Sequence, residues 1–164
     1  MRKSVKILLA CLLAFAFMEP SAAKKDPEKG MGAYLFTFFN DPTHSLYMAI
    51  SYDGYTFTAV NDGKPVIGGD SIAAQRGIRD PHICRAPNGW FYIAMTDLHV
   101  FGKQKGLRDT QWGRDDKYGW GNNRGLVLMK SKDLIHWTHT EVFVNEAFPE
   151  NYGELGCAWA PQTI

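Results

Sequence analysis

Apolar residues along this chain come in short runs separated by turn-forming residues, and the runs carry strand chemistry. Residues 34–39, 45–51, 55–60, 82–85, 90–95, 126–130 and 138–144 are rich in aromatic and β-branched side chains and bounded by Gly, Pro, Asn or Asp. That combination predicts strands of antiparallel sheets. No window of about a dozen residues carries an apolar stripe at helical spacing, so the pattern predicts an all-β fold. Pro87-Asn88-Gly89 and Asp53-Gly54 supply residues that tolerate positive φ between two such runs. Successive strands are therefore expected to pair as hairpins.

One hairpin unit recurs. Ser51-Tyr52-Asp53-Gly54-Tyr55-Thr56-Phe57-Thr58 returns 80 residues later as Ser131-Lys132-Asp133-Leu134-Ile135-His136-Trp137-Thr138. In both copies a strand runs into the serine, an Asp-led turn follows, and an aromatic opens the next strand. A repeated antiparallel unit of this length points to a β-propeller, although Ser-x-Asp is also common turn chemistry. Between the copies, residues 101–123 form a polar, glycine-rich stretch holding Trp112 and Trp120. A loop that long inside a β domain is functional or disordered, and its tryptophans argue against wholesale disorder.

The amino terminus follows a different pattern. Arg2, Lys3 and Lys6 precede an apolar run over residues 7–18, and Ser21-Ala22-Ala23 follows it. This is the order of a secretory signal peptide over residues 1–23, cleaved after Ala23, and it predicts a secreted or periplasmic protein. The run is shorter than the roughly 20 residues that span a bilayer, so no membrane partner is expected. Leu8-Leu9-Ala10-Cys11 resembles a lipoprotein box only faintly, because few apolar residues separate Cys11 from Lys6. Residues 24–32 read as a flexible leader, and residues 33–164 as the folded part.

Cleavage would change the net charge of +1 to 15 positive against 16 negative side chains, which gives no electrostatic reason to expect nucleic acid. Cys84 and Cys157 remain in the mature chain; export permits a bridge between them, and buried free thiols fit equally well. No metal-ligand spacing and no phosphate-binding glycine loop appears, so neither metal nor cofactor is expected.

Asp80 is the leading candidate for chemistry. It lies in Gly77-Ile78-Arg79-Asp80-Pro81-His82-Ile83, before a strand. Proline fixes its own backbone and is expected to restrict Asp80 to an extended conformation, aiming the carboxylate. Alternation would put Asp80 and His82 on one face and Arg79 on the other. In a propeller the start of an innermost strand lies at the central channel, a place for a general acid or base. Asp-Pro is also an ordinary strand start. Asp97 could face the same channel or serve an Asx turn. Trp112 and Trp120 could stack on sugar rings or pin their loop.

Five motifs in order resemble glycoside hydrolase family 43: Gly63-Lys64-Pro65-Val66-Ile67, Arg79-Asp80-Pro81-His82-Ile83, Trp90-Phe91-Tyr92-Ile93, Ser131-Lys132-Asp133-Leu134-Ile135-His136-Trp137 and Trp159-Ala160-Pro161. The resemblance covers residues 63–164, and residues 34–61 look like the strands that precede the first full blade in one branch of the family. It implies a five-bladed propeller, of which this chain holds about the first two blades, and an inverting arabinofuranosidase or xylosidase acting on plant cell-wall polysaccharide. It makes Asp80 the general base, with a glutamate acid and a modulating aspartate in later blades, and Trp159 a wall of the sugar subsite. It also implies that the chain alone is inactive. Gln162 departs from the family, where Asp or Glu commonly follows Trp-Ala-Pro. Two other readings remain open: a non-catalytic carbohydrate-binding propeller or inactive fragment, and a sialidase-like enzyme, since residues 51–57 approach that group's Asp box.

Overall fold

The computed structural model describes residues 29–107 and 123–164. The proposed signal peptide, Cys11, Trp112 and Trp120 lie outside the described residues. By its internal contacts the chain divides into Met1–Gly32 and Ala33–Ile164, and the second unit carries both sheets.

All seven expected strands form, and they pair in sequence order as two antiparallel meanders. β1 (Tyr34–Phe38), β2 (Tyr47–Ser51) and β3 (Thr58–Ala59) make a three-stranded sheet; β4 (Ile78–Arg85), β5 (Phe91–Asp97), β6 (Gly125–Ser131) and β7 (Thr138–Phe143) make a four-stranded one. The β4–β5 turn closes as the Pro-Asn-Gly chemistry requires: Gly89 adopts φ 81, and Trp90 N donates to the Asn88 side chain at 3.0 Å. β3 and two helices differ from expectation. β3 shrinks to two residues because the preceding Asp-led turn consumes residues 53–56. Two four-residue helices, α1 (Val144–Ala147) and α2 (Pro149–Tyr152), follow β7, each too short to have left a periodic apolar pattern.

The repeated octapeptide is a structural repeat down to its hydrogen bonds. Ser51 Oγ donates to Asp53 Oδ1 at 2.8 Å and accepts from Gly54 N at 2.9 Å, and Asp53 Oδ1 accepts from Tyr55 N and Thr56 N, each at 2.8 Å. In the second copy Ser131 Oγ donates to Asp133 Oδ1 at 3.0 Å and accepts from Leu134 N at 2.9 Å, while Asp133 Oδ1 accepts from Ile135 N and His136 N at 2.9 and 2.8 Å. The fourth residue is left-handed in both, Gly54 at φ 77 and Leu134 at φ 65. Amide donors hold both carboxyls below the usual carboxylate range: Asp53 falls to about 2, with the Thr56 and Tyr55 amides as the main causes, and Asp133 is held lower still, first by the His136 side chain.

The core lies between the sheets. Leu46 and Met48 of the first meander meet Ile93, Met95, Val127 and Met129 of the second, with Ile72 and Ala73 of the connecting loop and Ile78 closing the cluster. Val127, Met129 and Ser131 alternate along β6 with more exposed neighbours, the period-2 signature of one buried face, whereas β5 is buried on both faces from Ile93 to Asp97. Burial of each such large apolar side chain contributes about 1.5–3 kcal/mol. The first strands of the two meanders, β1 and β4, lie against each other, and Thr37 Oγ1 donates to Pro81 O at 3.2 Å.

Candidate active site

Asp80 stands where β4 takes one residue more than its partner. The register passes from Arg79↔Thr96 to His82↔Ala94, so Asp80 and Pro81 together face Met95. This β-bulge corrects two expectations. Asp80 is not extended: its φ is 51, the left-handed region that aspartate tolerates better than most residues. Because the bulge adds a residue, simple alternation no longer assigns Asp80 and His82 to one face. The extended backbone that Pro81 favours at the residue before it is therefore not adopted, and the carboxylate is held by Thr96 instead.

The carboxylate of Asp80 is half-buried, and its Oδ2 accepts a hydrogen bond from Thr96 Oγ1 at 3.1 Å. Thr96 is fully buried and also accepts from Ala160 N at 2.8 Å. The Trp159-Ala160-Pro161 motif therefore lies beside Asp80, as its order in the sequence could not reveal. His82 is tied to the same segment: its Nδ1 accepts from Thr163 N at 3.1 Å and sits 2.8 Å from Thr163 Oγ1. Trp159 is 43% exposed, and its indole N–H donates to the side chain of buried Asn123. Asn123 in turn accepts from Ala158 N at 2.8 Å. One edge of the ring is thereby pinned while much of its surface stays open. Gln162 is exposed.

Asp97 sits elsewhere. It is 1% exposed and its Oδ1 accepts from Gln75 N at 2.8 Å, so its carboxylate serves the backbone of the loop before β4 rather than an open surface. Arg79 also turns from Asp80. Its guanidinium pairs with Asp41 at 2.8 Å, lies 4.4 Å over the Phe39 ring and approaches His44 Nε2 at 3.3 Å.

Sequence reasoning missed His44. It is fully buried at φ 49 and stacks on His99 with ring centroids 4.0 Å apart. Burial, then the neighbouring His99 and Arg79, lower its pKa from 6.5 to about 4, and it packs as a neutral ring. Gly77 threads between the two histidines: a Cβ there would stand 2.6 Å from His99 Cβ and 2.7 Å from His44 Cβ. Nothing in the run Asp41-Pro42-Thr43-His44 signals this pairing, which depends on a residue more than fifty positions away.

Cys84 and Cys157 are free thiols. Two concavities of about 410 and 420 Å³ open along β7, one against residues 70–76 and one over Tyr92, Leu128 and Lys130. Neither includes Asp80.

A family model described as a probable glycosyl hydrolase domain, of the group related to glycoside hydrolase family 43, matches residues 29–164. An α-L-arabinofuranosidase of Bifidobacterium longum subsp. longum is 26% identical over 144 residues. That match takes in 83% of this chain and 12% of the relative's length. No solved structure matches.

Proposed function

The chain belongs to the probable glycosyl hydrolase domains related to family 43, and from that premise we propose that it forms part of an inverting glycosidase in which Asp80 is the general base. The observation that carries the proposal is the bulge. A half-buried carboxylate is lifted out of the strand ladder at the first strand of a meander, with one oxygen held by Thr96. In the reaction proposed, Asp80 accepts a proton from a water molecule as that water attacks the anomeric carbon from the side opposite the leaving oxygen. An acid some 6.5–9.5 Å away protonates that oxygen, leaving room for the water. No residue of this chain is assigned to the acid or to the aspartate that would tune it.

The architecture proposed is a five-bladed propeller, of which the two meanders are blades. Their first strands lie side by side and their outer strands carry the same Asp-led turn, as radial repetition requires. Substrates proposed are α-L-arabinofuranosides or β-xylosides of cell-wall polysaccharide, the first of these being what the Bifidobacterium relative's name denotes. The exposed face of Trp159 would wall the sugar subsite, since apolar sugar faces sit well on aromatic rings. The test is release of arabinose or xylose from such substrates by the full-length natural protein, with and without Asp80→Asn. Binding without turnover in the unsubstituted protein would favour a carbohydrate-binding module instead.

A further inference from the structure

Two non-glycine residues near the site adopt left-handed backbone immediately before a proline: Asp80 at φ 51 before Pro81, and Ala160 at φ 48 before Pro161. Such conformations persist only where surrounding contacts hold them. Both are held by one atom. Thr96 Oγ1 accepts from Ala160 N at 2.8 Å, which directs its own proton outward, and donates to Asp80 Oδ2 at 3.1 Å.

We propose that Thr96 is a positioning residue for the reaction, a fully buried hydroxyl that fixes the Asp80 carboxylate and the Trp159-Ala160-Pro161 segment in one arrangement. The inference rests on the reading of Asp80 as general base. The chain of bonds runs amide to hydroxyl to carboxylate, and each donor polarises the next. The bond to Oδ2 fixes the rotation of the carboxylate about its own axis. Because Ala160 follows Trp159, the same hydroxyl sets the distance between the base and the aromatic wall. Thr96 lies opposite Arg79, the last paired residue of β4 before the bulge, so the strand pairing itself brings the hydroxyl beneath Asp80. No other residue type keeps both the β-branched shape that suits a buried strand and a hydroxyl that can accept and donate at once.

Thr96→Val keeps the shape and removes the hydroxyl; Thr96→Ser keeps the hydroxyl. In the full-length natural protein, Thr96→Val should lower kcat by about tenfold to a hundredfold, as expected of a small misplacement of a reacting group, with KM little changed. Amide hydrogen exchange at Ala160 should quicken in the same variant. Thr96→Ser should restore both, and Thr96→Ala supplies the comparison should valine not be accommodated. Wild-type kcat in Thr96→Val beside a depressed kcat in Asp80→Asn would overturn this inference alone. So would a serine variant as impaired as the valine one, or unchanged exchange at Ala160. Full kcat in Asp80→Asn would overturn the base reading instead.

Discussion

Acidification should loosen the structure at His44. The ring is fully buried, and its pKa stands at about 4 against an ordinary 6.5, with burial the main cause, His99 and Arg79 adding to it and Asp41 opposing. The unfolded chain takes up this proton near 6.5 and the folded chain only near 4. Between those values the unfolded state binds more protons, so stability is intact above 6.5 and falls as pH falls towards 4. Linkage between the two values gives a loss of about 2 kcal/mol on passing from pH 8 to pH 5, and about 3 kcal/mol once both states are protonated. Since whole domains are stable by only about 5–15 kcal/mol, the first figure should lower the melting midpoint by roughly 6–12 °C. Thermal melts followed by circular dichroism between pH 5 and pH 8 make the measurement. His44→Asn is the control: asparagine accepts left-handed backbone and does not titrate, so its midpoint should vary less across the range even though it starts lower. A wild-type midpoint that stays level from pH 8 to pH 5, or an asparagine variant with the wild-type slope, would refute the assignment.

Other outcomes follow from close packing and from the repeat. Gly77→Ala forces a methyl against the Cβ atoms of both His44 and His99 and should cost about 3 kcal/mol or more, read as a lower urea midpoint; a neutral substitution would mean that the histidines can separate. Ser51→Ala and Ser131→Ala each remove a buried hydroxyl that accepts two amides, and each should cost about 1–2 kcal/mol. Losses that differ widely between the two would argue against an equivalent role for the two turns.

The strands were legible because each is a short run bounded by its own turn chemistry, and local rules suffice for that. The octapeptide repeat was legible for the same reason: every bond in it spans two or three residues. The site was legible only in part. Asp80 and Pro81 are neighbours in sequence, so a pre-proline restriction could be inferred, but the left-handed φ depends on a bulge defined by β5. Thr96 carried no local signal, because its significance lies in bonds to residues 16 and 64 positions away. Sequence alone leaves Asp97 between a channel-facing role and an Asx turn; in the structure it is buried and its carboxylate accepts from a backbone amide of the loop before β4. Helices α1 and α2 escaped because four residues are fewer than the pattern needs.

The central claim is that Asp80 activates the attacking water, and kinetics of Asp80→Asn in the full-length natural protein test it most directly. Asparagine is nearly isosteric and can keep the bond from Thr96 Oγ1, so folding should be preserved while the proton acceptor is lost. On an arabinofuranosyl or xylosyl substrate that the unsubstituted protein cleaves, kcat should fall by about 10²- to 10⁴-fold with an unchanged melting midpoint. Turnover undiminished in Asp80→Asn would remove this aspartate from the mechanism.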